Sequence, residues 1–163
     1  MTYCSNCGAQ IADNAVLCPR CGCLTGAQQR PGIPLKTNRS LLKFILLSLI
    51  TFGIYGIVVM SAISTDINTI ASRHDGKKTM HYCLVLFLFS WLTLGIVPLV
   101  WSHRISSRIG SELIRRGIAY RFGAGTFWGW GVLGMLILVG PFVYTHKLLQ
   151  SMNLLSADYN QRG

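Results

Sequence analysis

The chain has 163 residues and a net charge of +10, and 51% of its residues are hydrophobic whereas only 12% are charged. Soluble domains usually carry about 25% charged residues, so this composition argues against an ordinary soluble globular protein and favours a membrane protein. Because the Lys and Arg residues cluster at the edges of apolar runs, we expect anionic membrane lipid as a partner and consider nucleic acid less favoured.

The first predicted element is a metal site built from two Cys-x-x-Cys pairs, Cys4 with Cys7 and Cys18 with Cys21. A glycine follows each pair and relieves crowding where the backbone folds around an ion. Four thiolates complete the closed tetrahedral coordination of a structural Zn²⁺ and leave no open position for catalysis. Two disulfides or an iron site are the alternatives, and disulfides would need an oxidising compartment.

Residues 1–24 are therefore predicted to form a small first domain, too small to fold without its metal. The segments Tyr3–Ala9 and Leu17–Gly22 carry the two cysteine knuckles. This stretch resembles the short zinc-ribbon domain that begins many bacterial membrane proteins. The resemblance implies short β-strands and bound Zn²⁺, but such ribbons serve nucleic acids, proteins and plain stability alike.

Residues 25–39 contain Gly, Pro, Gln and Thr without periodicity, and we expect a flexible linker there. Residues 40–160 are predicted to form a membrane domain. It contains three apolar runs, each about twenty residues long, which is the length of a helix that crosses about 30 Å of hydrocarbon. The runs are Leu41–Ile63, Tyr82–Trp101 and Thr126–Tyr144. No cleavable signal peptide is visible at the start of the sequence.

The three runs also indicate an internal repeat, with units at about 40–74, 81–117 and 124–156. Each run is interrupted once, at Gly53, at Gly95 and at Gly140–Pro141, and is followed by a more polar helical stretch. The predicted fold is thus a zinc ribbon followed by an all-α membrane domain of three repeated broken-helix or helical-hairpin units.

The breaks allow two arrangements of these units. In the preferred one each run is a single kinked transmembrane helix, because the resulting loops then follow the positive-inside rule. In the other, each break is the tip of a hairpin that enters and leaves one leaflet, since a half-run of about 16 Å is too short to span.

The segment between the second and third runs is predicted to be an amphipathic helix that lies on anionic lipid. Ile105, Ile109 and Leu113 form its apolar stripe. The basic residues predicted to face lipid are Arg104, Arg108, Arg115, Arg116 and Arg121.

Residues 39–160 resemble a bacterial membrane domain of uncharacterised function, DUF4234. The second unit departs from the family pattern at Val97-Pro98. The resemblance supplies no activity. The residues that carry it are Leu49–Tyr55, Asp66–Asn68, Phe127-Trp128, Leu148–Asn153 and Tyr159-Asn160.

The function predicted from these features is an integral membrane scaffold or adaptor that displays its zinc ribbon to a cytosolic protein. We expect a homo-oligomer in the bacterial inner membrane with the ribbon on the cytoplasmic side. A small homo-oligomeric channel or transporter is the first alternative, and a membrane-tethered regulator whose ribbon binds nucleic acid is the second. An enzyme is not expected, because the sequence shows no nucleophile–base pair, phosphate loop or paired carboxylates.

Overall fold

The computed structural model describes residues 2–4, 7–12, 18–21 and 34–163. Two short antiparallel strands, β1 (Thr2–Tyr3) and β2 (Gln10–Ile11), form the start of the ribbon. The chain turns between them at Gly8, whose φ of 68° is the left-handed conformation that glycine adopts without strain. The linker predicted at 25–39 lies outside the described residues up to position 33.

The rest of the described chain forms six helices joined by short segments. The helices are α1 (Leu41–Ile50), α2 (Ile54–Asp75), α3 (Tyr82–Leu92), α4 (Ile96–Arg115), α5 (Ala124–Ile137) and α6 (Gly140–Arg162). Helix α3 passes through a π-helical stretch, and α5 through a π-helical and then a 3₁₀ stretch.

The helices pair into three antiparallel hairpins, which we call hairpin 1 (α1 and α2), hairpin 2 (α3 and α4) and hairpin 3 (α5 and α6). In hairpin 1, Gly56 lies against the side chains of Phe44 and Ser48. In hairpin 2, the rings of Tyr82 and Trp101 are 4.9 Å apart. In hairpin 3, the rings of Phe127 and Tyr144 are 5.5 Å apart. A continuous helix would hold such residues far apart, so the preferred prediction of three kinked spans is wrong and the chain has the hairpin geometry.

The first two reversals occur at the predicted glycines. Gly53 and Gly95 have φ values of 89° and 87° and lie directly before the long helices. The third prediction needs correction, because the reversal occurs at Leu138, with φ 60°, and Val139. Gly140 and Pro141 instead begin α6, where proline is tolerated because the first-turn N–H groups have no partner within the helix.

The core lies between the three long helices, α2, α4 and α6, which run in the same direction. Their C-terminal ends lie together, since Arg108 reaches Asp75 and Arg116 reaches Asp158. All three reversals therefore lie at the opposite end, which we call the tip end, and we call the C-terminal end the base. The fully buried core side chains include Ile63, Ile67, Ile105, Ile109, Leu113, Leu148, Met152 and Leu155.

This core corrects one further prediction. The stripe of Ile105, Ile109 and Leu113 is fully buried against the other two long helices and does not face lipid. An apolar stripe on a helix needs apolar cover, and here the protein itself supplies it.

Each long helix also holds the segment that leads into another hairpin. Asn68 accepts a hydrogen bond from the N–H of Thr79 (2.7 Å) and donates one to its carbonyl (2.8 Å), shortly before α3. Asn153 makes the same two bonds with Arg39 (3.0 and 2.8 Å), shortly before α1. In α4, Gly110 has no side chain, and the backbone of Phe122, which lies shortly before α5, occupies that space.

These three contacts, which we call the lead-in contacts, connect hairpin 1 to hairpin 2, hairpin 2 to hairpin 3, and hairpin 3 back to hairpin 1. The three hairpins thereby close on one another around the shared core.

Among the described residues one helical segment, Ile54–Ser72, has the length and apolar composition needed to cross a membrane. One such segment is weak evidence by itself, because core helices of soluble proteins have the same properties.

We expect Gly110→Ala to destabilise the helical domain by about 1–3 kcal/mol, since overpacking costs this much when a backbone blocks the added atom. A Cβ at position 110 would lie 2.4 Å from the Phe122 carbonyl oxygen. Gly129→Ala is the matched control, because a Cβ there meets nothing within 4 Å. Thermal unfolding in neutral detergent measures both. Equal midpoints for the two variants would show that the Gly110 contact is unimportant.

Candidate functional site

The four predicted metal ligands meet at one point. The Sγ atoms of Cys4, Cys7, Cys18 and Cys21 all lie within 4.8 Å of one another. The Cys4–Cys21 and Cys7–Cys18 sulfur distances are 3.7 and 3.6 Å. Sulfurs bound tetrahedrally to zinc at about 2.3 Å are about 3.8 Å apart, whereas disulfide sulfurs are about 2.05 Å apart. The arrangement therefore fits a structural Zn²⁺ site.

The local fold explains how the ligands converge. The N–H of Cys4 donates to the Ala9 carbonyl and the N–H of Gly8 donates to the Cys4 carbonyl, both at 2.8 Å, which bends the first knuckle. Cys4, Ile11 and Cys18 form a separate small cluster of buried side chains. Because this cluster is so small, Zn²⁺ when bound supplies most of the folding free energy of the ribbon.

A second group of polar residues lies at the base. Every acidic residue in 34–163 is bound there by arginine. The pairs are Asp66 with Arg39, Asp75 with Arg108, Glu112 with Arg115 and Arg116, and Asp158 with Arg116 and Arg162.

Arg108 connects hairpins 1 and 2. Its Nε donates to Asp75 Oδ2 at 2.6 Å, and its Nη1 donates to Asn68 Oδ1 at 2.6 Å and to Thr79 Oγ1 at 2.7 Å. The side chain is only 9% exposed. The prediction that Arg108 faces lipid is therefore wrong, because its donors are used within the protein.

Arg116 likewise connects hairpins 2 and 3. Its Nε donates to Glu112 Oε1 at 2.8 Å and its Nη1 to Asp158 Oδ2 at 2.7 Å. With a side chain 6% exposed, Arg116 does not face lipid, which corrects the prediction. Arg115 is more exposed, but it too binds Glu112.

These arginines lower the pKa of two of the carboxylates, whereas burial outweighs Arg39 and raises the pKa of Asp66. Burial alone would raise the pKa of Glu112, but hydrogen bonds and charge from Arg115 and Arg116 outweigh it and lower that pKa below its usual value. The pKa of Asp75 is lowered in the same way, with Arg108 outweighing burial. Both carboxylates are thus ionised at neutral pH.

Several cations remain available. Arg104 and Arg121 are exposed and form no salt bridge among the described residues, and their contact with lipid stays a prediction. Within the part of the chain that the structure describes, Lys43, Lys77, Lys78 and Lys147 also form no salt bridge.

The tip end, in contrast to the charged base, is uncharged and apolar. Residues 44–65, 82–102 and 122–145, which form the tips and upper arms of the three hairpins, contain no Asp, Glu, Lys, Arg or His. Phe52 is 97% exposed, Leu94 is 95% exposed and Trp91 is 90% exposed. These large apolar side chains surround the reversals and are not covered by any described residue of the chain.

Two threonines at the tips were not recognised from the sequence as important. Thr51 Oγ1 donates to the Leu47 carbonyl (2.7 Å) and accepts from the N–H of Tyr55 (2.9 Å), and so joins the two arms of hairpin 1. Thr93 does the same in hairpin 2 with Phe89 (2.6 Å) and Val97 (3.2 Å). The signal in the sequence is a Thr-x-Gly triplet at both breaks.

Hairpin 3 lacks this threonine and closes differently. A Cβ on Gly140 would lie 2.3 Å from the Gly134 backbone, so next to the reversal the two arms touch glycine to glycine. The N–H of Leu138 donates to the Met135 carbonyl at 3.0 Å.

Two protein-family models match parts of the chain. A zinc-ribbon domain model matches residues 3–23, and the model described as a domain of unknown function (DUF4234) matches residues 39–111. Neither the curated proteins nor the solved structures contain a match.

We expect Cys18→Ser to abolish stoichiometric zinc binding and to expose residues 2–21 to protease, because Cys18 is a nearly fully buried ligand. The helical domain should keep its unfolding midpoint, since its core is separate. Metal analysis and limited proteolysis measure this, with Cys83→Ser as the control that retains zinc. Full zinc occupancy in Cys18→Ser would contradict the assignment of this ligand.

We expect Glu112→Gln to destabilise the helical domain by about 1–3 kcal/mol at neutral pH, because Arg116 keeps only Asp158. Since the folded-state pKa of Glu112 is lowered, its stabilisation is present above the unfolded pKa of about 4.3 and is lost as the pH falls below it. The difference between wild type and variant should therefore shrink between about pH 5 and pH 3.

Unfolding midpoints measured across this pH range provide the test. Arg162→Gln is the control, because its ion pair with Asp158 is exposed and should contribute little at any pH. A difference for Glu112→Gln that stays constant on acidification would overturn the ionised assignment.

Proposed function

We propose that this chain, a zinc ribbon joined to a DUF4234 domain, is a membrane-embedded scaffold that displays the ribbon to a cytosolic protein. One observation carries the membrane part of the proposal. Three uncharged tips with exposed apolar side chains lie at one end of the domain, and the ion pairs among its described residues lie at the other. Such a contiguous apolar surface marks a lipid or protein interface.

The dimensions favour insertion into one leaflet. An arm such as α1, with 10 residues, is about 15 Å long, which is half of a hydrocarbon core of about 30 Å. Backbone groups within hydrocarbon must be hydrogen-bonded inside the protein. At two tips the hydroxyls of Thr51 and Thr93 supply some of these hydrogen bonds from within one copy of the chain.

In this single-leaflet arrangement the base lies at the level of the lipid head groups. Arg104 and Arg121, which have no acidic partner in the described part of the chain, are available to lipid phosphates. A thiolate-bound zinc site is typical of a reducing compartment, so we assign the ribbon and the base to the cytoplasmic face of a bacterial inner membrane.

The hairpin geometry favours a scaffold over a channel. An ion path needs apolar helices that cross the whole bilayer. The short arm α1, at about 15 Å, and the uncharged start of α2, residues 54–65 at about 18 Å, each reach only about halfway, and the rest of α2 carries the polar and charged residues of the base. A ribbon that binds nucleic acid is less favoured because, among its described residues, only Arg20 is basic. The homo-oligomer and the identity of the cytosolic protein stay predictions.

Labelling of single cysteines with a membrane-impermeant thiol reagent tests the topology. The variants His81→Cys, Ala119→Cys and Gln161→Cys place thiols at exposed sites between the hairpins and near the C-terminus, with Cys23 and Cys83 replaced by serine. We expect all three sites to react in inside-out membrane vesicles and none in right-side-out vesicles. Reaction of the thiols at positions 119 and 161 from opposite faces would overturn the single-leaflet arrangement and restore a spanning one.

A tip cysteine provides the matched control. Leu94→Cys should react from neither face until the membrane is dissolved, because its side chain would lie in hydrocarbon. Recovery of the protein in the soluble fraction after cell breakage, with Leu94→Cys reactive in water, would contradict membrane insertion altogether.

A further inference from the structure

A cavity of about 530 Å³ opens between hairpins 1 and 2. The end of α2, the segment 76–80 and the outer face of α4 form its walls. This volume is within the range of small-molecule sites, about 300–1,000 Å³. The residues used below are Lys77, Lys78, Arg104, Val97, Val100 and Trp101.

One side of the cavity is cationic. Lys77, Lys78 and Arg104 line it, are exposed, and form no salt bridge among the described residues. The two carboxylates that also line it, Asp75 and Glu112, are bound by arginines, and the charge of Lys77 adds to that of Arg108 in lowering the pKa of Asp75. The cations that line the cavity outnumber these two carboxylates, so the charge that faces it is positive and favours an anionic ligand.

The other side is apolar and rigid. Val97 and Val100 come from the first turns of α4, on the side toward the tip. Trp101 is fixed between them and the base, because its Nε1 donates to the Met80 carbonyl at 2.8 Å and its ring packs on Tyr82. Val100 is half exposed, so this wall continues onto the apolar outer surface of hairpin 2.

We infer that this cavity binds an anionic amphiphile, a phosphate-bearing lipid whose head group lies against Lys77, Lys78 and Arg104 and whose chain lies along Val97 and Val100. The order of the two walls carries this assignment, since the cations lie toward the base and the valines toward the tips. A free phosphate would leave the apolar wall uncovered, and a neutral lipid would leave three cations unpaired.

Isothermal titration calorimetry of the full chain in neutral detergent tests the inference without any bilayer, so its result does not depend on membrane insertion. The titrants are dihexanoyl phosphatidic acid, dihexanoyl phosphatidylcholine and inorganic phosphate. We expect saturable binding of the phosphatidic acid, with the other two binding at least tenfold more weakly.

The variant Lys77→Gln/Lys78→Gln/Arg104→Gln should weaken phosphatidic acid binding at least tenfold. The control Lys43→Gln/Lys147→Gln/Arg162→Gln removes the same charge outside the cavity and should bind like the wild type. Because both triple variants have the same net charge, heat from partitioning into micelles is common to them. Val100→Gln, at an exposed apolar position, should weaken the binding of phosphatidic acid but not that of inorganic phosphate.

Four results would overturn the inference. Absence of saturable phosphatidic acid binding, or equal binding of phosphatidylcholine, would show that the cavity does not select an anionic lipid. Equal weakening in the two triple variants would show that net charge and not the cavity is responsible. Inorganic phosphate that binds as tightly as the lipid would identify a plain anion site, with no role for the apolar wall.

Discussion

The chain reverses direction three times within a few residues, and the separation of charged and uncharged ends depends on these reversals. At two of them a large residue, Phe52 or Leu94, precedes glycine in the left-handed region. Each such non-glycine residue costs about 1–2 kcal/mol. Hydrogen bonds through Thr51 and Thr93 offset part of this and satisfy backbone groups at the turn. The same turns put every apolar tip at one end, where the exposed side chains need lipid or protein as cover.

The base is held together by interactions between hairpins. The lead-in contacts of Asn68, Gly110 and Asn153 place the start of each hairpin on the long helix of another. The ion pairs of Arg108 and Arg116 then connect neighbouring hairpins. Since basic residues outnumber acids in the described part of the chain, some basic side chains, among them Lys78 and Arg104, form no salt bridge and lie at the surface around the cavity. The excess of basic residues is therefore concentrated where a phosphate-bearing surface or ligand could bind.

The sequence allowed the zinc ligands, the two domains and the breaks at Gly53 and Gly95 to be predicted, because each depends on a short pattern. It gave the wrong chain direction after each break, since a glycine in an apolar run is compatible with a kinked helix or with a reversal of the chain. It also misled about Arg108, Arg116 and the stripe of Ile105, Ile109 and Leu113. An amphipathic helix has the same pattern whether its apolar face meets lipid or other helices, and here the other helices bury it.

What the sequence by itself determined is local. A Cys-x-x-Cys pair brings two thiolates within one turn of backbone, so four cysteines at this spacing predict a zinc ribbon without knowledge of the rest of the chain. The tertiary structure alone decided which basic residues are structural and which are free. Arg108 finds Asp75 across 33 positions and Arg116 finds Asp158 across 42, and only the packing of three hairpins brings these groups together. The sequence shows which residues are charged, whereas the ion-pair partner of each charged residue depends on the path of the whole chain.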